Sequence, residues 1–154
     1  MLSVNSYPKA FVDACRTRID DQVAAYRALL KAAGTSARKT AGKAAGADAG
    51  VAAAAARFEP PFFGHLVIAL DAGFMHRSRT LEQKDGNAMN EVRMLSASLV
   101  QHGGILAADK TIKYDPATSV LKVKVGDPIT IDQAGFVRLA AAYFAAIAAT
   151  FQGP

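Results

Sequence analysis

Apolar positions in the first part of the chain recur every three or four residues. Phe11, Cys15, Ile19, Val23, Tyr26, Leu30 and Ala33 make one stripe, and Arg16, Asp20, Asp21 and Arg27 lie off it. That period predicts a helix from Pro8 to Ala33, capped by Ser6 and closed by Gly34 in a left-handed conformation. A second helical pattern runs from Phe62 to Leu81, with Phe63, Leu66, Val67, Leu70 and Phe74 on one face and Ile68, Ala72 and Met75 around the side. An element apolar on most of its circumference is expected to be central. A third covers Ala88 to His102: Asn87 is its cap, Met89, Val92, Leu95, Leu99 and Val100 point inward, and Gly103-Gly104 stop it.

The period then changes to two. Ile112 and Tyr114 alternate with Lys113, and Leu121, Val123 and Val125 alternate with Lys122 and Lys124, around the turn-forming "DPATS". This predicts a β-hairpin with one face on the core and lysines in solvent. A last helix begins near Asp132, where Thr130 and Gln133 have capping-box spacing. Its core stripe is Phe136, Leu139, Tyr143, Phe144, Ile147 and Phe151, and Ala141, Ala142, Ala145, Ala146 and Ala149 cover the rest.

Between the first two helices lies "GTSARKTAGKAAGADAGVAAAAARFEPP". Residues 35–50 read either as a flexible Ala/Gly-rich tether or as a frayed helix start in which Gly42, Gly46 and Gly50 form one smooth face for a close helix neighbour. Pro60 and Pro61 are expected to end that helix. The sum is a single domain over residues 1–154, mainly α. It is a four- or five-helix bundle with one β-hairpin before the C-terminal helix.

Composition changes this picture little. The chain has 154 residues and 51% hydrophobic residues, much of that alanine, so its core-forming capacity is smaller than the figure suggests. A formal charge of +5 permits anionic partners without demanding them. The one cysteine, Cys15, falls on the apolar stripe of the first helix, which favours a buried thiol and a reducing, cytoplasmic setting. The N-terminus lacks the pattern of a signal peptide. "FEPPFFGHLVIALDAGFM" is broken by His65 and Asp71 and "LAAAYFAAIAATF" is short, so no membrane span is expected.

No GxGxxG, GxxxxGK[ST], HExxH, CxxC or GxSxG pattern is present, so recognisable catalysis is not expected, nor any cofactor. His65 and His76 share a helix face but stand about 16 Å apart by helical rise, too far to hold one metal, and no metal site is expected. The densest chemistry is "HRSRTLEQKDGNAMNEVR", residues 76–93. Asp85-Gly86-Asn87 supplies the chain reversal, and cations beyond a helix C-terminus suit its dipole. Turn chemistry leaves His76, Asn90, Glu91 and Arg93 unexplained. The candidate ligand contacts are therefore His76, Arg77, Asn90, Glu91 and Arg93, with Arg79, Lys84 and Asp85 at the rim, holding a small anion against the exposed amides that open the helix at Ala88. Asp71, alone in an apolar helix, needs a partner. Arg93 is the one assigned to this buried ion pair, with Arg77 the alternative.

Lys110, Lys113, Lys122 and Lys124 would make a basic ribbon, but Tyr114 falls on its inward face. Lysine on an exposed edge also blocks aggregation, so nucleic-acid binding through the hairpin is the reading placed last. "KDGNAMNEVRMLSASLVQHGG", "ADKTIKY" and "SVLKVKVGD" resemble sequences of an uncharacterised family of bacterial proteins of about this size. The resemblance spans roughly residues 58–151 and implies no activity, cofactor or catalytic residue. The leading expectation is a helical binding or assembly protein, self-associating through its alanine and glycine faces. The alternative is a small-anion binder, or an enzyme without a familiar motif, using the elbow at residues 76–93.

Overall fold

The computed structural model describes residues 3–39 and 45–154, with side chains of 35–48 outside that description. The described residues are mainly helical. A two-residue strand, β1 (Tyr7–Pro8), leads into α1 (Lys9–Lys39); then follow α2 (Ala45–Gly73), a single turn α3 (Arg79–Glu82), α4 (Ala88–Gln101), α5 (Gln133–Phe151) and β2 (Gln152–Gly153). β1 and β2 pair in parallel, Tyr7 with Gln152 and Pro8 with Gly153, tying the two ends of the chain together.

α2 touches α1, α4 and α5, and α5 touches α1 and α4. The core lies between them. Val12, Cys15, Ile19, Val23 and Tyr26 of α1 meet Phe63, Leu66, Val67, Leu70 and Phe74 of α2, Met89, Val92 and Leu95 of α4, and all six expected stripe residues of α5. By length and composition α5 is apolar enough to cross a membrane, contrary to the expectation that it is too short. Here that apolarity is used as core.

Several expectations fail. Pro60 and Pro61 do not end a helix; both sit inside α2. Proline there removes a backbone hydrogen bond and crowds the preceding turn, a cost of roughly 3 kcal/mol each. Aromatic packing on both sides of the pair offsets it. Tyr26 of α1 stacks on Phe58 and Phe62 at 6.3 and 5.4 Å between centroids and meets Phe63 edge-on at 5.1 Å. Gly34 does not close α1, which continues to Lys39.

The helix expected to reach Leu81 stops at Gly73. Beyond it the N-terminal segment captures the backbone: Val4 N–H donates to the His76 carbonyl and Ser78 N–H to the Val4 carbonyl, both at 2.8 Å. α4 also turns Val100 outward instead of inward.

The hairpin does not form. Asp115-Pro116 starts a helical turn, with Ser119 N–H donating to the Asp115 carbonyl. Pairing occurs instead between 104–106 and 126–129, where Leu106 N–H reaches the Asp127 carbonyl, Gly126 N–H the Leu106 carbonyl and Ile129 N–H the Gly104 carbonyl. Alternation placed apolar side chains on one side but left the backbone partner open. Elsewhere the caps are local and legible. Asn87 accepts from Met89 and Asn90 N–H, and Asp132, rather than Thr130, accepts from Gly135 N–H.

Past the core, α1 and α2 run on. Tyr26 faces Phe58 to Phe63, and Phe11 faces Phe74, so the two helices are antiparallel. α5 begins beside this level, since Gln133 N–H donates to the Glu59 carboxylate at 3.1 Å. α4 ends near it, with Leu99 against Gly64. Residues 27–34 and 49–59 hold no buried side chain. Leu30 still packs partly buried against the core, and α1 continues about 13 Å beyond it by helical rise. Gly42 lies outside the described residues. The place a Cβ would take on Gly50 is open space, so no helix among the described residues closes on it.

Candidate functional site

The elbow at residues 76–93 is built around a carboxylate that its sequence pattern did not single out. Glu82, at the end of α3, is 0% exposed. Arg93 reaches it from one turn inside α4 with a two-pronged grip: Nε donates to Oε1 at 3.1 Å and Nη2 to Oε2 at 2.6 Å. Arg77 Nη2 donates to Oε1 at 3.1 Å, Asn90 Nδ2 does so at 3.4 Å, and Arg79 stands 3.6 Å from Oε2. Burial pushes the Glu82 carboxyl up, but the Arg93 hydrogen bonds and the charges of Arg77, Arg93 and Arg79 outweigh it and hold the group below its usual range. The fork geometry of arginine makes such grips strong and orienting.

Arg77 is the second centre. It is 2% exposed, donates through Nη1 to the Phe74 carbonyl and through Nη2 to the Met89 carbonyl, and lies over the Tyr143 ring at 5.8 Å. Its Nη2 is 3.0 Å from Asp71 Oδ1. Asp71 is therefore paired with Arg77, not with Arg93: Arg93 is held by Glu82, which the linear pattern hid among the arginines. This contact is an ion pair without a hydrogen bond. Asp71 Oδ1, Arg77 Nε and Tyr7 Oη are buried atoms with no hydrogen-bond partner among the described residues. Burial and the neighbouring charges of Asp71 and Glu82 raise the Tyr143 phenol, although Arg77 opposes them.

The remaining elbow residues divide. Asn90 is buried and accepts from Gly86 N–H. Glu91 is buried but turns away from the arginines. Its two oxygens accept from the backbone N–H groups of Val120 and Leu121 at 2.7 and 2.9 Å. Burial raises its carboxyl and outweighs those two bonds. His76, Lys84 and Asp85 are exposed, and their structural parts are local. The His76 carbonyl takes the Val4 N–H, the Lys84 carbonyl takes the Lys113 N–H, and Asp85 Oδ1 accepts from Asn87. Gly86 at φ 86° presses against the Lys113 carbonyl so closely that no Cβ fits.

The expected anion position is thus already filled. Asn87 occupies the α4 amides, and Glu82 is the anion that the arginines hold. The eight candidate residues do not converge on one open site: Arg77, Arg79, Asn90 and Arg93 do so around Glu82, and the others do not. The signal that was available is arithmetic: among three arginines, Glu82 is the one acid three or five positions from Arg79 and Arg77. Among the described residues no three His, Cys, Asp or Glu side chains gather as a metal site. Cys15 is buried, with Arg18 Nη2 donating to its sulfur at 3.2 Å.

Against protein-family profiles, curated proteins and solved structures, the chain finds no match.

Proposed function

We propose that this chain is a binding protein whose projecting pair of helices engages the phosphate backbone of double-stranded nucleic acid. One observation carries the reading. Residues 27–58 hold six basic side chains, Arg27, Lys31, Arg38, Lys39, Lys43 and Arg57, against the single acid Asp48, whereas the rest of the chain balances twelve against twelve. The whole excess of +5 lies within residues 27–58, of which 27–34 and 49–58 hold no buried side chain. Long-range attraction to a polyanion needs such a concentrated charge, and counterion release then supplies affinity.

The character of the segment narrows the partner. A membrane-surface helix needs a stripe of large apolar residues, and here alanine and glycine prevail. Single-strand binding uses stacked bases on exposed aromatics, but Tyr26 and Phe58 at the base of the arm stack on each other. Small residues with interspersed cations suit close approach to a backbone instead. The lysine-bearing hairpin, the route considered from the sequence, is not built, so this surface is a different one.

Fluorescence anisotropy with a 20-base-pair duplex tests the reading. Binding should weaken steeply with salt and be lost in the R38E/K39E/K43E variant. Equal binding by wild type and variant, or binding to anionic vesicles and not to the duplex, overturns it. Self-association is the second reading, supported by the exposed Ala141, Ala145 and Ala149 on α5. Light scattering at micromolar concentration separates it: a 16.1 kDa species argues against an assembly.

A further inference from the structure

The arginine cluster does not balance. Arg77, Arg79 and Arg93 face two acids, Asp71 and Glu82. Arg77 and Glu82 are closed off inside, so the surplus positive charge emerges through the partly exposed side chains of Arg79 and Arg93, 38% and 22% accessible. Arg93 opens onto a cleft of about 380 Å³ between α4 and residues 107–110. Its Nε and Nη2 are committed to Glu82, which locks the plane of the guanidinium while Nη1 makes no contact with that carboxylate. His102 and Lys110 line the same cleft.

Asp109 also lines it, and an acid beside three cationic or donor groups is informative. Its Oδ1 is engaged by Thr111, at 2.8 Å from N and 2.7 Å from Oγ1. Those bonds, opposed by burial and joined by the charges of Arg79 and Lys84, hold the carboxyl below its usual range, so it is an acceptor at neutral pH. A fully deprotonated oxyanion would be repelled by it. An oxyanion that keeps a proton would instead donate to it while accepting from the arginine and lysine.

We propose that the cleft between α4 and residues 107–110 binds a protonated phosphate group, with Arg93, His102 and Lys110 donating to its oxygens and Asp109 accepting its proton-bearing oxygen. Sulfate matches phosphate in size and shape but carries no proton near neutral pH, and an acceptor-only carboxylate discriminates between them. Inorganic phosphate and a phosphomonoester share this chemistry. The cleft is separate from the projecting helices and does not depend on the reading given to them.

Titration calorimetry at pH 6.5 and fixed ionic strength, with phosphate, methyl phosphate and sulfate, tests the proposal. Phosphate should bind at least about tenfold more tightly than sulfate. The H102Q/K110Q variant, which touches neither Glu82 nor its arginines, should weaken phosphate about tenfold or more. D109N keeps an acceptor for Thr111 and should bring sulfate up to phosphate. Backbone amide shifts on phosphate addition should centre on residues 107–110. Methyl phosphate binding as well as phosphate assigns the cleft to a phosphomonoester, and exclusion of methyl phosphate assigns it to the free ion. Equal binding of phosphate and sulfate by wild type, undiminished binding by H102Q/K110Q, or shifts centred on residues 27–58 would each overturn the proposal.

Discussion

Glu82 shows how much one buried charge can organise. Its carboxylate is fully enclosed and satisfied by two arginines and an asparagine. Neutralising it leaves Arg77 and Arg93 under-compensated in a low-dielectric setting, so Glu82→Gln should cost about 3–5 kcal/mol by urea unfolding. Asp71→Ala should cost less, about 1–2 kcal/mol, because Arg77 keeps Glu82 and two carbonyls. A larger loss for Asp71 than for Glu82 would refute this ranking. The pH profile follows from the same residues. Glu82 is lowered in the fold, so its stabilisation is present above the unfolded value near 4.5 and is lost as pH falls through the folded value. Glu91 is raised, so the fold favours its protonated form, and its contribution is fully present below the unfolded value and lost as pH rises through the folded one. Stability should therefore hold or rise slightly from pH 7 toward 5 and drop below about 4.5, and Glu91→Gln should flatten the upper part. A steady decline from pH 7 would contradict the Glu91 assignment.

At the scale of elements, propensity is overridden wherever packing is dense. α2 keeps two prolines in its interior because Phe58, Phe62 and Phe63 hold both flanks against Tyr26. Restoring the missing donor should help: Pro61→Ala is expected to stabilise by about 1–2 kcal/mol, with a higher melting temperature and unchanged helicity. A fall in stability would show that the proline ring itself packs. Residues 102–131 illustrate the opposite case. They lack regular structure yet are fastened at several points, with Glu91 on the amides of Val120 and Leu121, Tyr114 Oη donating to the Val123 carbonyl, and Ser98 Oγ accepting from Ala107 N–H. A loop with its backbone groups spoken for is held in one conformation without being a sheet.

For the molecule as a whole, charge is segregated along the chain. Residues 1–26 and 59–154 are electrically neutral in sum, and residues 27–58 carry the excess. If five cations meet phosphates, the logarithm of the duplex association constant should fall with the logarithm of salt concentration at a slope of about −4 to −5. The R38E/K39E/K43E variant should reduce that slope toward zero while leaving the free energy of unfolding within about 0.5 kcal/mol of wild type, the usual range for substitutions of charged residues outside a core. A slope unaffected by the substitutions would place the contacts elsewhere.

Sequence by itself determined what is local. The periodic stripes of α1, the second half of α2, α4 and α5 are largely the buried faces, with Phe11 and Val100 exposed, because side chains three and four apart share a helix face. The cap of α4 by Asn87 and its stop at Gly103-Gly104, with φ of 60° and 78°, follow from backbone geometry that neighbouring residues control. Tertiary structure alone decided what depends on distant partners. Strand pairing at residues 112–125 was lost because Glu91, about thirty positions away, took the amides a partner strand would need. The pairing of Asp71 and the role of Glu82 were equally non-local in effect: several arginines compete for few carboxylates, and only the fold settles which ones meet. A sequence lists charges in order, whereas their energies depend on separation and burial, and both are products of the packed chain.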